Sequence, residues 1–272
     1  MKFIAKTLII SILSFVIILF ALFPIFWLLR LSFMYPADAL ALPPKIFFIP
    51  TLSNYHYIIY NCNFIKFFLN SILISIGSVT LSLFLGTPAA YALSRFNLRR
   101  KNDIQFYFLS ARMGLPVVAL IAFFIQFHAL NLLDTYIALI IAHQTFNLPL
   151  VIWITKSFID AMPTDIEEAS LLDGCSKLGS LLRITLPVIA PGLITTAILA
   201  FIFSFNDFIF AAILTSYNAR TATVFIYGFF SPERGLEWNY ISAGAMLLII
   251  PILIFSLLVQ KYLIRGLTFG MV

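Results

Sequence analysis

The sequence predicts an all-α membrane protein: a bundle of six transmembrane helices with one long, structured loop. Three observations predict it, namely a composition too apolar for a soluble domain, six apolar runs of spanning length, and a lopsided distribution of Lys and Arg. Of 272 residues, 62% are apolar, 16% aromatic and only 10% charged, and the mean hydropathy is +1.04. Soluble domains carry about 25% charged residues to cover their surface. The bilayer is therefore the natural solvent for this chain.

The hydrocarbon core, about 30 Å thick, takes roughly 20 helical residues to cross. Spans are expected at about 7–29, 70–94, 104–128, 135–158, 188–214 and 242–264. The first follows Lys2 and Lys6 in the manner of a secretory signal. Its apolar run is too long for one, and no small-x-small cleavage site precedes Arg30. With both termini on one side, that side holds eleven Lys and Arg; the other holds five, Arg30, Lys45, Lys66, Arg220 and Arg234, while Arg112 lies within the third span. This excess directs both termini and the 159–187 loop to the cytoplasm. The net charge of +6 follows from topology alone and calls for no nucleic-acid partner. The outer segments are too short for folded domains, so residues 1–272 read as a single membrane domain. Cys62 and Cys175 fall on opposite sides of the bilayer, which excludes a disulfide between them. His56, His128 and His143 are scattered without metal spacing, and each reads as a satisfied or exposed side chain.

The 159–187 loop carries most of the information. After Pro163, Thr164 and Glu167 have the Thr-x-x-Glu spacing of a capping box. A helix is expected from there to Asp173, ending at Gly174, the residue best suited to a left-handed helix end. Ser176 is placed to cap a second short helix. Leu178, Leu181, Leu182 and Thr185 share one face of it at i, i+3, i+4 and i+7. Helices this short are not stable alone in water, so they must pack on the membrane domain, on a partner, or on both.

Within the spans, Asp207 (beside Asn206) and Arg112 are costly charges, about 2.5–3.5 kcal/mol each near a helix centre. Neither should face lipid. Asn206 and Asp207 are candidates for a polar translocation path, with helix–helix contact as the structural alternative; a structural role is favoured for Arg112. Pro116, Pro149 and Pro251 are expected to interrupt their helices and free the carbonyls of Arg112, Thr145 and Leu247. Such interruptions mark a substrate path or a bending point, or else simple kinked packing.

The stretch Glu168-Ala169-Ser170-Leu171-Leu172-Asp173-Gly174, followed after nine residues by Ile184-Thr185-Leu186-Pro187, resembles the Glu-Ala-Ala-x-x-x-Gly-x9-Ile-x-Leu-Pro signature of ABC importer permeases. Only Ser170 departs from it, standing where the family has a second Ala. The resemblance runs nearly the full length. Pro43-Pro44, Leu52-Ser53-Asn54-Tyr55, Asn70-Ser71, Ala89-Ala90-Tyr91-Ala92-Leu93-Ser94-Arg95, Asn206-Asp207-Phe208 and Ala243-Gly244-Ala245 are all similar to maltose-type (MalG-like) permeases. The resemblance implies a heteromeric complex of ABC ATPase subunits, a second and different permease, and an extracytoplasmic substrate-binding protein. It also implies that the loop is a coupling helix seated on the ATPase through Glu168, Ala169, Ser170, Asp173 and Gly174. The cargo it implies is a sugar or oligosaccharide, with glycerol phosphate or another polyol as the alternative.

No Gly-x-x-x-x-Gly-Lys-Ser/Thr loop occurs, so ATP is expected on a partner chain and no cofactor on this one. No catalytic constellation or metal-ligand spacing stands out, which argues against a membrane-embedded enzyme. A non-transporting scaffold would have the spans but no use for the loop signature.

Overall fold

Backbone amides have no water to bond in a bilayer, so each apolar run must satisfy them internally as helix. The computed structural model describes residues 2–114, 116–231 and 235–268. Arg234 and Pro232 lie outside the described residues, as do the side chains of Lys2, Pro116, Lys261 and Arg265. The chain is helical almost throughout. Among the described residues the exceptions in regular structure are the two-residue strands Phe230–Ser231 and Gly235–Leu236, paired antiparallel.

Three helices are single spans by length and composition: α1 (Lys2–Ser32), α2 (Phe64–Arg95) and α10 (Trp238–Thr268). Three more expected spans are present as bent helices, giving up to six crossings. The expected third span, 104–128, is divided into α3 (Lys101–Met113) and α4 (Pro116–Ala129), bent by 86°. Pro116 therefore opens a helix instead of interrupting one. This is the position where its missing N–H costs nothing and its fixed φ helps. Arg112 accordingly sits in the last turn of α3, where a cation meets the negative end of the helix dipole. The fourth span is α5 (Tyr136–Ala142) and α6 (Gln144–Asp160), bent by 47°. Pro149 and Pro251 do fall inside their helices, α6 and α10.

The fifth expected span, 188–214, is also interrupted. Residues Lys177–Val188 meet α8 (Ala190–Phe205) at 79°, and a break at 206–208 separates α8 from α9 (Ile209–Leu214). Between α6 and α8 lies α7 (Thr164–Leu172).

The described chain forms two compact units. One comprises residues 1–66 and 225–250, the other 67–224 and 251–272. In the first, Asn54 is the organising side chain. Its Nδ2 donates to the carbonyls of Ser32 (2.9 Å) and Met34 (2.8 Å), and its Oδ1 accepts from Asn239 (2.9 Å). The 18-residue apolar window of α1 has no buried residue, so that stretch is left for lipid or a partner to cover, while Ser32 at the helix end is buried.

In the second unit, Ile74, Leu120, Phe127, Leu139, Phe210 and Leu214 form the main core. Asn70 ties α2 to the 215–221 segment by donating to the carbonyls of Asn218 (2.8 Å) and Arg220 (2.9 Å). Tyr136 donates to its Oδ1 at 2.8 Å, and the Ser71 hydroxyl accepts from the Ala222 amide at 2.9 Å. Small residues permit close helix contact. An added Cβ at Gly192 of α8 would lie 2.4 Å from the Phe158 ring of α6.

Candidate functional site: the 159–187 loop and the interrupted fifth span

Helix α7 starts directly after Pro163, with no side-chain cap on its first turn. The expected capping box does not form. Glu167 is claimed by a stronger donor: its carboxylate accepts from Arg95 Nε, 3.1 Å from each oxygen, from the Thr185 hydroxyl (3.1 Å) and from Tyr91 (3.4 Å). A charge-assisted bond from a guanidinium outweighs a neutral amide. Arg95 Nη2 also donates to the carbonyls of Ile159 and Met162, both at 2.9 Å. The end of α2 thus clamps the last residues of α6, the first turn of α7 and the approach to α8. Glu167 is 6% exposed, and a buried apolar cluster of Ala90, Tyr91, Ile159, Leu181 and Ile189 lies beside the pair.

The helix end forms as expected. Gly174 has φ +86°. Cys175 N–H bonds the Ser170 carbonyl (3.0 Å) and Gly174 N–H bonds that of Leu171 (3.1 Å), which together make a Schellman motif. Ser176 caps the next turn by accepting from the Gly179 amide at 3.1 Å. Ser170 is buried; its hydroxyl lies 2.7 Å from the Glu167 carbonyl and 2.8 Å from the Ser180 hydroxyl, stitching the two short helices together. The expected four-residue apolar face is only half realised. Leu181 and Thr185 are buried, but Leu178 and Leu182 are 64% and 55% exposed. A π-helical turn runs over Leu181–Thr185, so the i, i+3, i+4, i+7 spacing of a regular helix does not hold through it. Glu168, Ala169, Asp173 and Gly174 all face out, beside Leu172 at 89% exposure. The loop thus presents small, acidic and bare apolar groups on a surface held rigid from behind.

Asp207 lies in the break between α8 and α9, and its carboxylate caps α9 by accepting from the amides of Phe210 (3.4 Å) and Ala211 (3.1 Å). His143 is fully buried, with Nε2 3.3 Å from Asp207 Oδ2 and Nδ1 2.5 Å from the Ser204 hydroxyl. This is a Ser–His–Asp sequence of contacts. With Ser204 at 3% exposure and His143 at 0%, it holds helices together and has no access for a substrate bond. Thr223 further bonds the Asp207 carbonyl at 2.8 Å. Asn206 is exposed and bonds its own helix at Ile202. The two candidates for a polar path thus point to different surroundings. Among the described residues Arg112 makes no ion pair with Asp207; its guanidinium stacks 5.1 Å from the Phe203 ring. It also lines a cavity of about 290 Å³ with Thr145, Phe146 and Phe210. The carbonyl that Pro149 deprives of its helical donor belongs to that same Thr145.

Two polar groups were not singled out in the sequence. Gln144 and Asn147 on α6 bond Ser78 and Ser82 on α2, with Ser82 to Gln144 Oε1 at 2.6 Å and Asn147 to Ser78 at 2.9 Å. The signal was there, as small polar residues recurring at helical spacing, Ser71, Ser75, Ser78 and Ser82, in an apolar span. Asp134, φ +59°, collects the amides of Ser216, Tyr217, Asn218 and Ala219. Nothing in its local sequence announces that. Cys62 and Cys175 are both free, and burial pushes the Cys62 thiol up.

Residues 78–269 match the family of binding-protein-dependent transport system inner membrane components. The chain belongs to this family. It is 34% identical to the trehalose/maltose transport system permease protein MalG of Thermococcus litoralis, over 92% of this chain and 90% of that one. It is also 34% identical to the trehalose transport system permease protein SugB of Mycobacterium tuberculosis, over 96% of both. Among solved structures, a chain of a bacterial ABC transporter that imports the acidic polysaccharide alginate superposes with a TM-score of 0.76 and 24% identity, covering 95% of this chain and 96% of that one. That likeness establishes the fold: a multi-helix ABC importer permease.

Proposed function

We propose that this chain is one of two different permease subunits of an ATP-driven importer for a sugar or oligosaccharide. An extracytoplasmic binding protein delivers the cargo, and separate ATPase subunits hydrolyse ATP. It resides in a bacterial cytoplasmic membrane with both termini cytoplasmic, as the bias of Lys and Arg argues. The sugar follows from the named cargo of the relatives, trehalose and maltose. The observation that carries the coupling role is the division of labour on α7 and the turn that ends it. Glu167 anchors inward on Arg95, whereas Glu168, Ala169, Asp173, Gly174 and Leu172 stay bare.

On this reading, α7 sits in a cleft of the ATPase, and Ser170 acts from behind by fixing the turn. Closure of the ATPase pair pushes α7. The Glu167–Arg95 pair and the Thr185 bond pass that displacement to α2 and to the entry of α8. The bend between α3 and α4, the break at 206–208 and the interior prolines let the spans bend without breaking apolar packing. Glycerol phosphate or another polyol is the second reading for the cargo, and Arg112 beside its cavity is the observation that favours it.

The test is Leu172→Arg, at a position 89% exposed and not needed for packing. In proteoliposomes with its partners, the variant should insert normally yet lose co-purified ATPase about tenfold or more, a loss of at least about 1.4 kcal/mol. Normal ATPase recovery and normal uptake by the variant would overturn the docking assignment.

A further inference from the structure

The last turn of α1 carries a second arrangement that the transport reading leaves unused. Arg30 lies in the last turn of α1, near the end of the apolar span Ile10–Ser32. Its guanidinium is held over two rings, 4.9 Å from the Trp27 centroid and 5.4 Å from that of Phe48. Its Nη2 is buried and has no hydrogen-bond partner among the described residues. A buried donor of a charged group is expensive to leave unmade. Nearby carboxylate does not relieve it, because Asp38 is paired with Lys45. Arg30, Lys45 and Asp38 all line one cavity of about 450 Å³, whose walls are otherwise apolar and include Trp27 and Trp238.

These groups define the chemistry of an occupant. With Lys45 and Asp38 cancelling, the cavity carries one net positive charge, which matches the single negative charge of a phosphodiester. The planar fork of an arginine suits phosphate oxygens. Two tryptophans mark the level of the membrane interface. From the cavity, the unburied apolar side chains of α1, Trp27, Phe26, Phe23 and Phe20 among them, continue into the depth of the bilayer. A free anion would use the first feature and leave the last two without purpose. We propose that this cavity binds the phosphodiester headgroup of an anionic membrane phospholipid through Arg30, with the acyl chains laid along α1.

The test is lipid retention. The assembled transporter is purified from nanodiscs of mixed phosphatidylglycerol and phosphatidylcholine, and bound lipid is counted by native mass spectrometry. The wild type should retain phosphatidylglycerol after delipidation. Arg30→Gln should retain it about tenfold less, the scale of losing a charge-assisted bond. Arg30→Lys, which keeps the charge but not the fork, should fall between. Unchanged elution on gel filtration and a normal complement of partner subunits show that each variant is folded. Equal retention by wild type and Arg30→Gln would overturn the proposal. So would displacement of the lipid by millimolar inorganic phosphate, which would assign the cavity to a free anion. Retention by the isolated chain but not by the assembled transporter would also overturn it, giving the cavity to an acidic group of a partner subunit. None of these outcomes depends on sugar uptake.

Discussion

Arg95 and Glu167 are both largely buried, with side chains 13% and 7% exposed, and each would be left as an uncompensated charge without the other. Removing one member of such a pair costs about 3–5 kcal/mol. Glu167→Ala should therefore lower thermal stability in detergent sharply, and Arg95→Met combined with it should recover part of the loss. A double mutant no better than the single would show that the Arg95 bonds to Ile159 and Met162 dominate instead. Gly174 makes a contrasting case. An added Cβ there meets nothing within 4 Å, so Gly174→Ala costs only the left-handed backbone, about 1–2 kcal/mol. The variant should accumulate and insert, so that any loss of ATPase coupling reports on the turn and not on folding. Asp134 gives a dependence on pH. Burial raises its carboxyl, but the amides of Asn218, Ala219, Ser216 and Tyr217 outweigh that and hold it below the ordinary value. A depressed folded-state pKa stabilises fully above the unfolded pKa, and the gain is lost as pH falls through the folded one. Wild type and Asp134→Asn should thus differ in melting temperature near neutral pH and converge in acid. A constant difference across that range would assign the effect to shape instead of charge.

At the level of elements, the contact of α6 with α8 is set by one missing side chain. Gly192 lets α8 approach so closely that a methyl would strike the Phe158 ring at 2.4 Å. Gly192→Ala should cost about 1–3 kcal/mol of overpacking, and Phe158→Leu in the same chain should restore much of it. Full stability of the single variant in a thermal melt would show that the ring swings aside freely. The breaks matter as much as the helices. Pro116 ended up as a helix start, and the Asn206–Asp207 break became a capped junction because Asp207 offers α9 an acceptor and His143 a partner. Asp207 read alone is an expensive charge in a span; with its donors in place it is a satisfied one.

For the whole molecule, bare α1, the exposed leucines of the 159–187 loop and the long apolar faces of α2 and α10 describe a chain that needs both lipid and partners to cover it. Most of the architecture was legible in advance. Spans are written in long apolar runs, the loop in the Glu168–Gly174 stretch and the turn at Gly174, and the Ser176 cap in its residue type. The inward turn of Glu167 was not, because Thr-x-x-Glu spacing describes a local bond, while Arg95 arrives from 72 residues away. The same holds for His143 with Ser204 and for Asp134 with the 216–219 amides, separated by 61 and more than 80 residues. The exposure of Leu178 and Leu182 accompanies a π-turn over Leu181–Thr185, which has no residue signature.

The sequence by itself determined solvent, the apolar runs that become spans, the position of the loop and the family, because each depends on composition or short-range spacing. Only the tertiary structure decided which polar groups are paired, which face of α7 is free and which donor, at Arg30, is left waiting. Those depend on side chains brought together from distant segments, where burial turns a local preference into a choice between partners and the strongest charge-assisted contact wins.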